Sequence, residues 1–372
     1  MRIGIDARLT AYRIGGIAEY TRQLVAALVP LALNDQLVLL QHWRDREPLS
    51  RAANTRRLPL FTPPHHRLEA WSLPVELLPY GLDLLHCPDF IAPRLRPCRA
   101  VVTIHDLAFL HFPAILDAQA RRYYGQVRAS AHAADAVIAV SQSTRTDICT
   151  LLELPPERVN LVYEAAAPLF RRVALPPNAQ RSVNGQQLYA GEFVLFVSTI
   201  EPRKNIPTLL RALHLCRQRQ PRRPYLLALA GKRGWHDDEV FTLIRDLGLS
   251  AAVRHLGGCT LDELLWLYNA CRIYVNPSRY EGFGLPVVEA LACGAPTIVS
   301  DTSSLPEVAG DAALRVPPFD VGAWADSIEL LWDDADRRAM LSARGPIQAA
   351  QFSWARAARE TLAIYEAVKR RT

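Results

Sequence analysis

Lysine is nearly absent from this chain: Lys204, Lys232 and Lys369 stand against forty arginines, so any lysine is a notable choice. Long apolar runs are missing as well. The longest, Leu24 to Leu33, is ten residues with Pro30 inside it, about half of the roughly 20 that a membrane-spanning helix needs, and no transmembrane segment is expected. The N-terminus turns acidic at Asp6 after Ile3, Gly4 and Ile5, which reads as a first buried strand and not a signal peptide, so a cytoplasmic protein is expected. No C-x-x-C pair occurs among the seven cysteines, and an odd number fits buried thiols better than a disulfide framework or a zinc site. There is no G-x-G-x-x-G after the first strand, which disfavours NAD and FAD. Internal repeats and low-complexity segments are also lacking. No metal and no cofactor are expected.

What is present describes a globular chain. Of 372 residues, 50% are hydrophobic and 22% charged, the net charge is +6 and the mean hydropathy is +0.01. That excludes a disordered or fibrous class, and at roughly 150 residues per domain it predicts about two domains. The positive excess is mild, and no nucleic-acid partner is expected.

Short apolar runs alternate with helical stretches along the whole length. Strands are predicted at Arg2 to Asp6, Leu37 to Trp43, Ala100 to Ile104, Ala136 to Val140, Phe193 to Val197, Tyr225 to Ala230, Ile273 to Asn276 and Pro296 to Val299. Helices are predicted at Ile17 to Val29, Ala118 to Ala134, Ile206 to Gln218, Leu261 to Cys271 and Pro286 to Ala292. This is the pattern of parallel sheets with crossover helices. The aperiodic stretch 173–191, with Pro176, Pro177, Asn184 and Gly185, reads as a linker between two doubly wound α/β halves. The expected division is a first domain over 1–172, a linker over 173–191, a second domain over 192–354, and a last amphipathic helix over 355–372 that packs back on the first domain. In open α/β sheets ligands bind at the carboxyl ends of the strands.

Three segments at such ends carry chemistry. Gly15 and Gly16 follow the first strand and open the first helix, letting backbone amides approach an anion. Arg203 and Lys204 stand just after the first strand of the second half, where two cations at a helix start oppose the helix dipole and need an anionic partner such as a diphosphate. Most specific is Pro277 to Glu289, a glycine-bracketed loop running into a helix with Pro286 in its first turn. It presents the amides of Phe283, Gly284 and Leu285 as an anion cradle. Glu281 and Glu289, eight residues apart, place carboxylates on the loop and on the helix, where they suit opposite ends of a nucleotide.

Together these residues resemble the retaining glycosyltransferases of family 4, with the two-Rossmann-domain fold called GT-B. The elements that carry the resemblance are Glu201-Pro202-Arg203-Lys204-Asn205, Glu281 to Glu289, Ser303 to Val308 and Gly310 to Ala313 in the second half, and Gly15-Gly16, His86-Cys87-Pro88 and Thr103 to Leu107 in the first. The resemblance implies two doubly wound domains facing a central cleft and a nucleotide-sugar donor held mainly by the second half. Its diphosphate would lie on Arg203, Lys204 and the amides of 283–285, its ribose on Glu289. The resemblance also implies that His105 and Glu281 are catalytic residues beside the donor sugar, and that the acceptor comes to the first half. Two departures stand out: Ser198-Thr199 replaces the family's Gly-Arg pair, leaving Arg203 as its substitute, and Glu164-Ala165 replaces an Asn-Gly turn. Asp334-Ala335-Asp336 has the letters of a metal-binding Asp-x-Asp but sits between helical runs, as capping residues do.

The implied activity is metal-independent transfer of a hexose with retention. The Glu-Pro-Arg-Lys-Asn segment resembles mannosyltransferases of polysaccharide assembly, so GDP-mannose is the first donor and UDP-glucose the second. Rival readings are a sugar-nucleotide epimerase, a glycogen phosphorylase and a silent nucleotide-sugar-binding subunit. A glycan or lipid-linked acceptor fits. Residues 43–71 carry Arg44, Arg46, Arg51, Arg56, Arg57 and Arg67 with Trp43, Phe61 and Trp71, which suits peripheral contact with the inner membrane face.

Overall fold

In a computed structural model of the protein, residues 1–11, 15–66, 69–93, 95–113, 118–234 and 237–370 are described. The chain forms two compact units, Met1–Glu164 with Ser353–Thr372, and Ala165–Phe352.

The first unit is built on seven parallel strands: β1 Arg2–Asp6, β2 Gln36–His42, β3 Thr55–Leu60, β4 Leu84–Cys87, β5 Arg99–Ile104, β6 Ala136–Ala139 and β7 Val159–Leu161, in the order β3-β2-β1-β4-β5-β6-β7. Its helices are α1 Gly16–Leu28, α2 Glu69–Leu77, α3 Ala108–His111, α4 Ala118–Tyr124, α5 Val127–Ala133 and α6 Gln142–Leu151. The central strands read as unbroken apolar runs because both of their faces are covered. Val38, Leu40, Leu85, Val102, Ile104, Val137 and Ile148 share one core. Each fully buried leucine or isoleucine contributes about 1.5–3 kcal/mol.

The second unit holds a hairpin, β8 Gln180–Val183 with β9 Gln186–Tyr189, and six parallel strands. These are β10 Phe193–Val197, β11 Leu226–Ala230, β12 Val253–Gly257, β13 Ile273–Asn276, β14 Thr297–Ser300 and β15 Ala313–Val316, in the order β12-β11-β10-β13-β14-β15. Helices α7 Ile206–Arg219, α8 Asp238–Asp246, α9 Leu261–Ala270, α10 Leu285–Ala292, α11 Leu305–Ala309, α12 Val321–Asp333 and α13 Ala335–Ala349 complete it. Helix α14, Trp354–Arg370, belongs to the first unit, where it packs on α1.

Both sheets have the Rossmann order, and in each the strand order reverses beside the first strand, between β1 and β4 and between β10 and β13. These switch points are where ligands bind in such sheets, and the segments 88–89 and 198–204 with 277–284 leave the strands there.

The structure differs from the sequence reading at several places. The stretch 173–191 is not a linker: it lies in the second unit, which begins at Ala165, and the polar β8–β9 hairpin turns on Asn184 and Gly185, both at positive φ. The single helix expected over 118–134 is two, α4 and α5, with Gly125 packed against the Arg121 carbonyl between them. Asp334 ends α12 and caps α13 by accepting from the Arg337 amide at 2.8 Å.

Candidate active site

In the second unit Glu281 is the hub. Carried by the loop after β13 and only 7% exposed, it accepts from Lys204 Nζ at 2.7 and 2.9 Å, Arg203 Nη1 at 3.2 Å and Ser278 Oγ at 2.7 Å. Burial alone would raise its pKa. The charges of Lys204 and Arg203, with hydrogen bonds from Lys204 and Ser278, outweigh that and pull it down to about 2. It is therefore a fixed anion at physiological pH. Lys204, itself buried, has its pKa lowered by burial and by the neighbouring Arg203, despite Glu281 and Glu201. Arg203 also pairs with Glu201 at 2.6 Å and donates to the Tyr280 carbonyl at 3.1 Å.

Local sequence explains the assembly. Pro202–Lys204 is a single 3-10 turn closed by Asn205 at φ 55°, whose side chain donates to the carbonyls of Pro277 and Pro318 and so ties the cations to the Glu281 loop. The loop is held from below: Ser303 Oγ accepts from the Glu281 amide at 3.0 Å, and Ser304 Oγ donates to the carbonyls of Glu281 and Phe283. Gly284 precedes α10 at φ 98°, a left-handed conformation that a side chain disfavours, and a Cβ there would stand 3.1 Å from Leu305. The positive end of α10 thus begins beside Glu281. One turn into that helix, Glu289 accepts from the buried Tyr268 hydroxyl at 2.8 Å.

In the first unit His105 follows β5. Its Nδ1 lies 2.7 Å from Glu164 Oε1 and its Nε2 2.7 Å from the Pro88 carbonyl. Burial favours the neutral ring, but the hydrogen bond and charge of Glu164, with Pro88 and Asp89, hold its pKa above the ordinary value. Thr144, on α6, donates to the His105 carbonyl at 3.2 Å, and Tyr20 lies edge-on to the ring at 4.7 Å. Gly15 caps α1 in extended conformation, and a Cβ built on Gly15 or Gly16 meets nothing within 4 Å among the described residues. The preceding residues 12–14 lie outside the described ones.

Two family models match this chain, Glycosyl transferases group 1 over residues 186–348 and Glycosyltransferase Family 4 over residues 14–166. Over 386 aligned residues it is 33% identical to the O-antigen chain mannosyltransferase B of Escherichia coli, covering 98% of this chain and 100% of that one. The chain belongs to glycosyltransferase family 4. This glycosyltransferase is also 34% identical over 266 residues to the serotype-specific mannosyltransferase WbdA of Escherichia coli, a match covering 70% of its own length and 32% of that relative. Its fold superposes on sucrose-phosphate synthase from Thermosynechococcus elongatus with a TM-score of 0.79 and 22% identity, covering 100% of both chains. The fold is GT-B, and the enzyme is a hexosyltransferase.

Of the residues singled out in the glycosyltransferase's sequence, Arg203, Lys204 and Glu281 meet in one hydrogen-bonded cluster, with Phe283, Gly284 and Leu285 leading from it into α10. Glu289 is bound to Tyr268 on the same unit, whereas His105, Gly15 and Gly16 belong to the first unit. Sequence reasoning missed Ser278 and Tyr268 and left Glu164 without a role. For Glu164 a signal existed: an acid replaces the usual turn at a strand end.

Proposed function

We propose that this glycosyltransferase moves mannose from GDP-mannose to a glycan or lipid-linked acceptor, with retention of the donor's anomeric configuration and without a metal. The names of the two Escherichia coli relatives support mannose. The observation that carries the mechanism is the gathering of Lys204 and Arg203 on Glu281 at the β10/β13 switch point, beside the start of α10. A departing nucleoside diphosphate concentrates charge on its β-phosphate, and preorganised cations are worth most where charge develops. The third proton of Lys204 Nζ and the α10 amides supply that stabilisation in this reading, Glu289 takes the ribose, and Glu281 and His105 hold the sugar hydroxyls.

Glu281 already accepts from Lys204, Arg203 and Ser278. A carboxylate so occupied is a poor nucleophile, which favours front-face attack in which the leaving phosphate takes the acceptor's proton.

A lipid-linked acceptor fits the exposed face of the first unit. Trp43 and Phe61 stack with ring centroids 6.0 Å apart, Arg44 lies over Trp43, and Trp71, Val75 and Leu78 are each at least 60% exposed on and just after α2. Arg67 of this stretch lies outside the described residues. Among the described residues no helix is long and apolar enough to cross a membrane, so the proposed contact is peripheral.

The test is a thermal-shift comparison of GDP-mannose and UDP-glucose, followed by transfer in EDTA with the product anomer read by NMR. A donor at about 100 times its Kd stabilises by about 2.7 kcal/mol. GDP-mannose should give the larger shift, and the product should keep the donor's configuration. A larger shift with UDP-glucose, an inverted product, activity lost in EDTA and restored by Mn²⁺, or epimerisation of the donor without acceptor would each overturn the reading.

A further inference from the structure

Glu164 lies just beyond β7 at the end of the first unit's sheet and is 4% exposed. Its partner is His105, whose two ring nitrogens face two acceptors. The Pro88 carbonyl, 2.7 Å from Nε2, has no proton to give, so Nε2 carries one. The Glu164 carboxylate, 2.7 Å from Nδ1, likewise accepts, so Nδ1 carries the other. A ring protonated at both nitrogens is an imidazolium, and two short bonds to groups after β4 and β7 fix its orientation.

We propose that Glu164 is a positioning residue for transfer: it clamps His105 as an imidazolium against Pro88, so that the ring is spent within the unit and the His105 carbonyl is left to receive a sugar hydroxyl. One lone pair of that carbonyl takes Thr144 Oγ1 at 3.2 Å and the other remains for the sugar. The proposal rests on the reading that places His105 beside the donor sugar.

The clamp has an alkaline limit. If the ring loses its Nδ1 proton, a lone pair faces a carboxylate at hydrogen-bond distance, and the two acceptors repel. Because the folded pKa of His105 is raised, the clamp is fully present at low pH and is lost as pH rises through that folded value. The groups that face the ring are Glu164 after β7, Asp89 after β4, His86 on β4 and Tyr20 on α1. His86 is fully buried, is pushed down to about 3 by burial and the His105 charge, and stays neutral. Burial raises the Tyr20 hydroxyl well clear of the working range. The remaining charges are the acids Glu164 and Asp89, and both favour the imidazolium.

Glu164→Gln separates charge from shape, because its amide donates to Nδ1 of a neutral ring in the same geometry. The first readout is the titration of the His105 ring carbons by ¹H–¹³C NMR in the donor-free full chain, assigned with His105→Ala. The clamp predicts that His105 titrates at least about one pH unit lower in Glu164→Gln than in the wild type, a roughly tenfold change in proton affinity. The second readout is transfer as a function of pH. Wild-type kcat should fall as pH rises through the His105 titration, while Glu164→Gln, whose amide serves the neutral ring, stays level there. Glu164→Leu, which offers neither donor nor acceptor, should lose roughly tenfold in kcat with donor KM within about twofold, and Glu164→Asp should keep part of the rate that Glu164→Leu loses. An unchanged His105 titration in Glu164→Gln, which would put the shared proton on Glu164, overturns the clamp. Full transfer by His105→Ala, which keeps the backbone carbonyl but has no ring to clamp, overturns the clamp's role in transfer, and the donor-free titration then decides by itself whether the ring is held as an imidazolium.

Discussion

At the carboxyl edge of the second unit's sheet an acid sits inside a ring of donors, Glu281 taking Lys204, Arg203 and Ser278. At the same edge of the first unit's sheet the order is reversed at two places, where cations sit inside rings of acceptors. Arg8, only 1% exposed, donates to Asp6 at 2.6 and 2.9 Å, to Glu69 and to the Thr62 carbonyl, while His105 lies between Glu164 and Pro88. In the second unit Glu201 and Glu281 balance Arg203 and Lys204, and the start of α10 tips the edge positive. In the first, Asp6, Glu69 and Glu164 outnumber Arg8 and His105. A doubly wound sheet leaves its strand ends open to either solution. In the function proposed above, the second unit's edge takes the diphosphate and the first unit's edge offers acceptors to hydroxyl groups.

The sharpest way to break this contrast is to remove one caged cation from each unit. Arg8→Met strips Asp6 and the buried Glu69 of their guanidinium, leaving each with a single backbone amide among the described residues, and breaking such a buried ion pair typically costs about 3–5 kcal/mol. Urea unfolding should show that loss, and a stability within about 1 kcal/mol of the wild type would show that Arg8 is not the keystone of its edge. Lys204→Met leaves Arg203 and Ser278 on Glu281, so it should cost less stability but lower kcat roughly 100-fold, about 2.7 kcal/mol of transition-state stabilisation, by analogy with loss of one oxyanion donor. Near-normal single-turnover rates would remove Lys204 from the chemistry.

A second test uses acid. Glu281 has its pKa lowered from 4.5 to about 2, so its ionised form contributes about 3 kcal/mol that is complete above 4.5 and lost as pH falls through 2. The stability gap between wild type and Glu281→Gln should therefore shrink by about 2 kcal/mol between pH 7 and pH 3. A gap independent of pH would mean the cage does not hold the carboxylate.

The smallest effect is expected at the surface. Replacing exposed Arg44, Arg51 and Arg56 by Ser should weaken binding to anionic liposomes by about 1 kcal/mol per residue, read by co-sedimentation. Unchanged sedimentation would sink the membrane contact.

Strand visibility in the sequence followed position in the sheet. Central β1, β2, β5, β10, β11, β13 and β14 were legible because burial on both faces demands unbroken apolar runs. The edge strands β3, β7, β12 and β15 were missed: each has one wet face, and β3 reads Thr-Arg-Arg-Leu-Pro-Leu, with a proline that only an edge tolerates. β4 was missed for another reason: His86 interrupts its apolar run. At the site, Arg203, Lys204 and Glu281 were legible as a motif, but their mutual pairing was not, because it depends on Asn205 tying two distant loops together. The His105–Glu164 bond spans 59 positions, and its one local trace is the acid that stands in place of a turn residue at 164.

Helix α14 ties the first unit's completion to the timing of synthesis. The chain leaves that unit at Glu164 and returns to it only at Ser353. Until then Ala357, Ala358, Thr361, Ile364, Tyr365 and Val368 are not available to cover α1, and His86 lacks the Tyr365 hydroxyl that sits 2.6 Å from its Nδ1. At about 5–20 residues per second the ribosome needs roughly 10–40 s to cross that gap. During that time a nascent sheet with a buried histidine waits with one flank bare, and the second unit has all of its own chain before the first does. The order of assembly is therefore inverted relative to the order of synthesis: the unit begun first is finished last, and a fragment ending at Glu164 should be captured by chaperones where one carrying α14 in fusion is not.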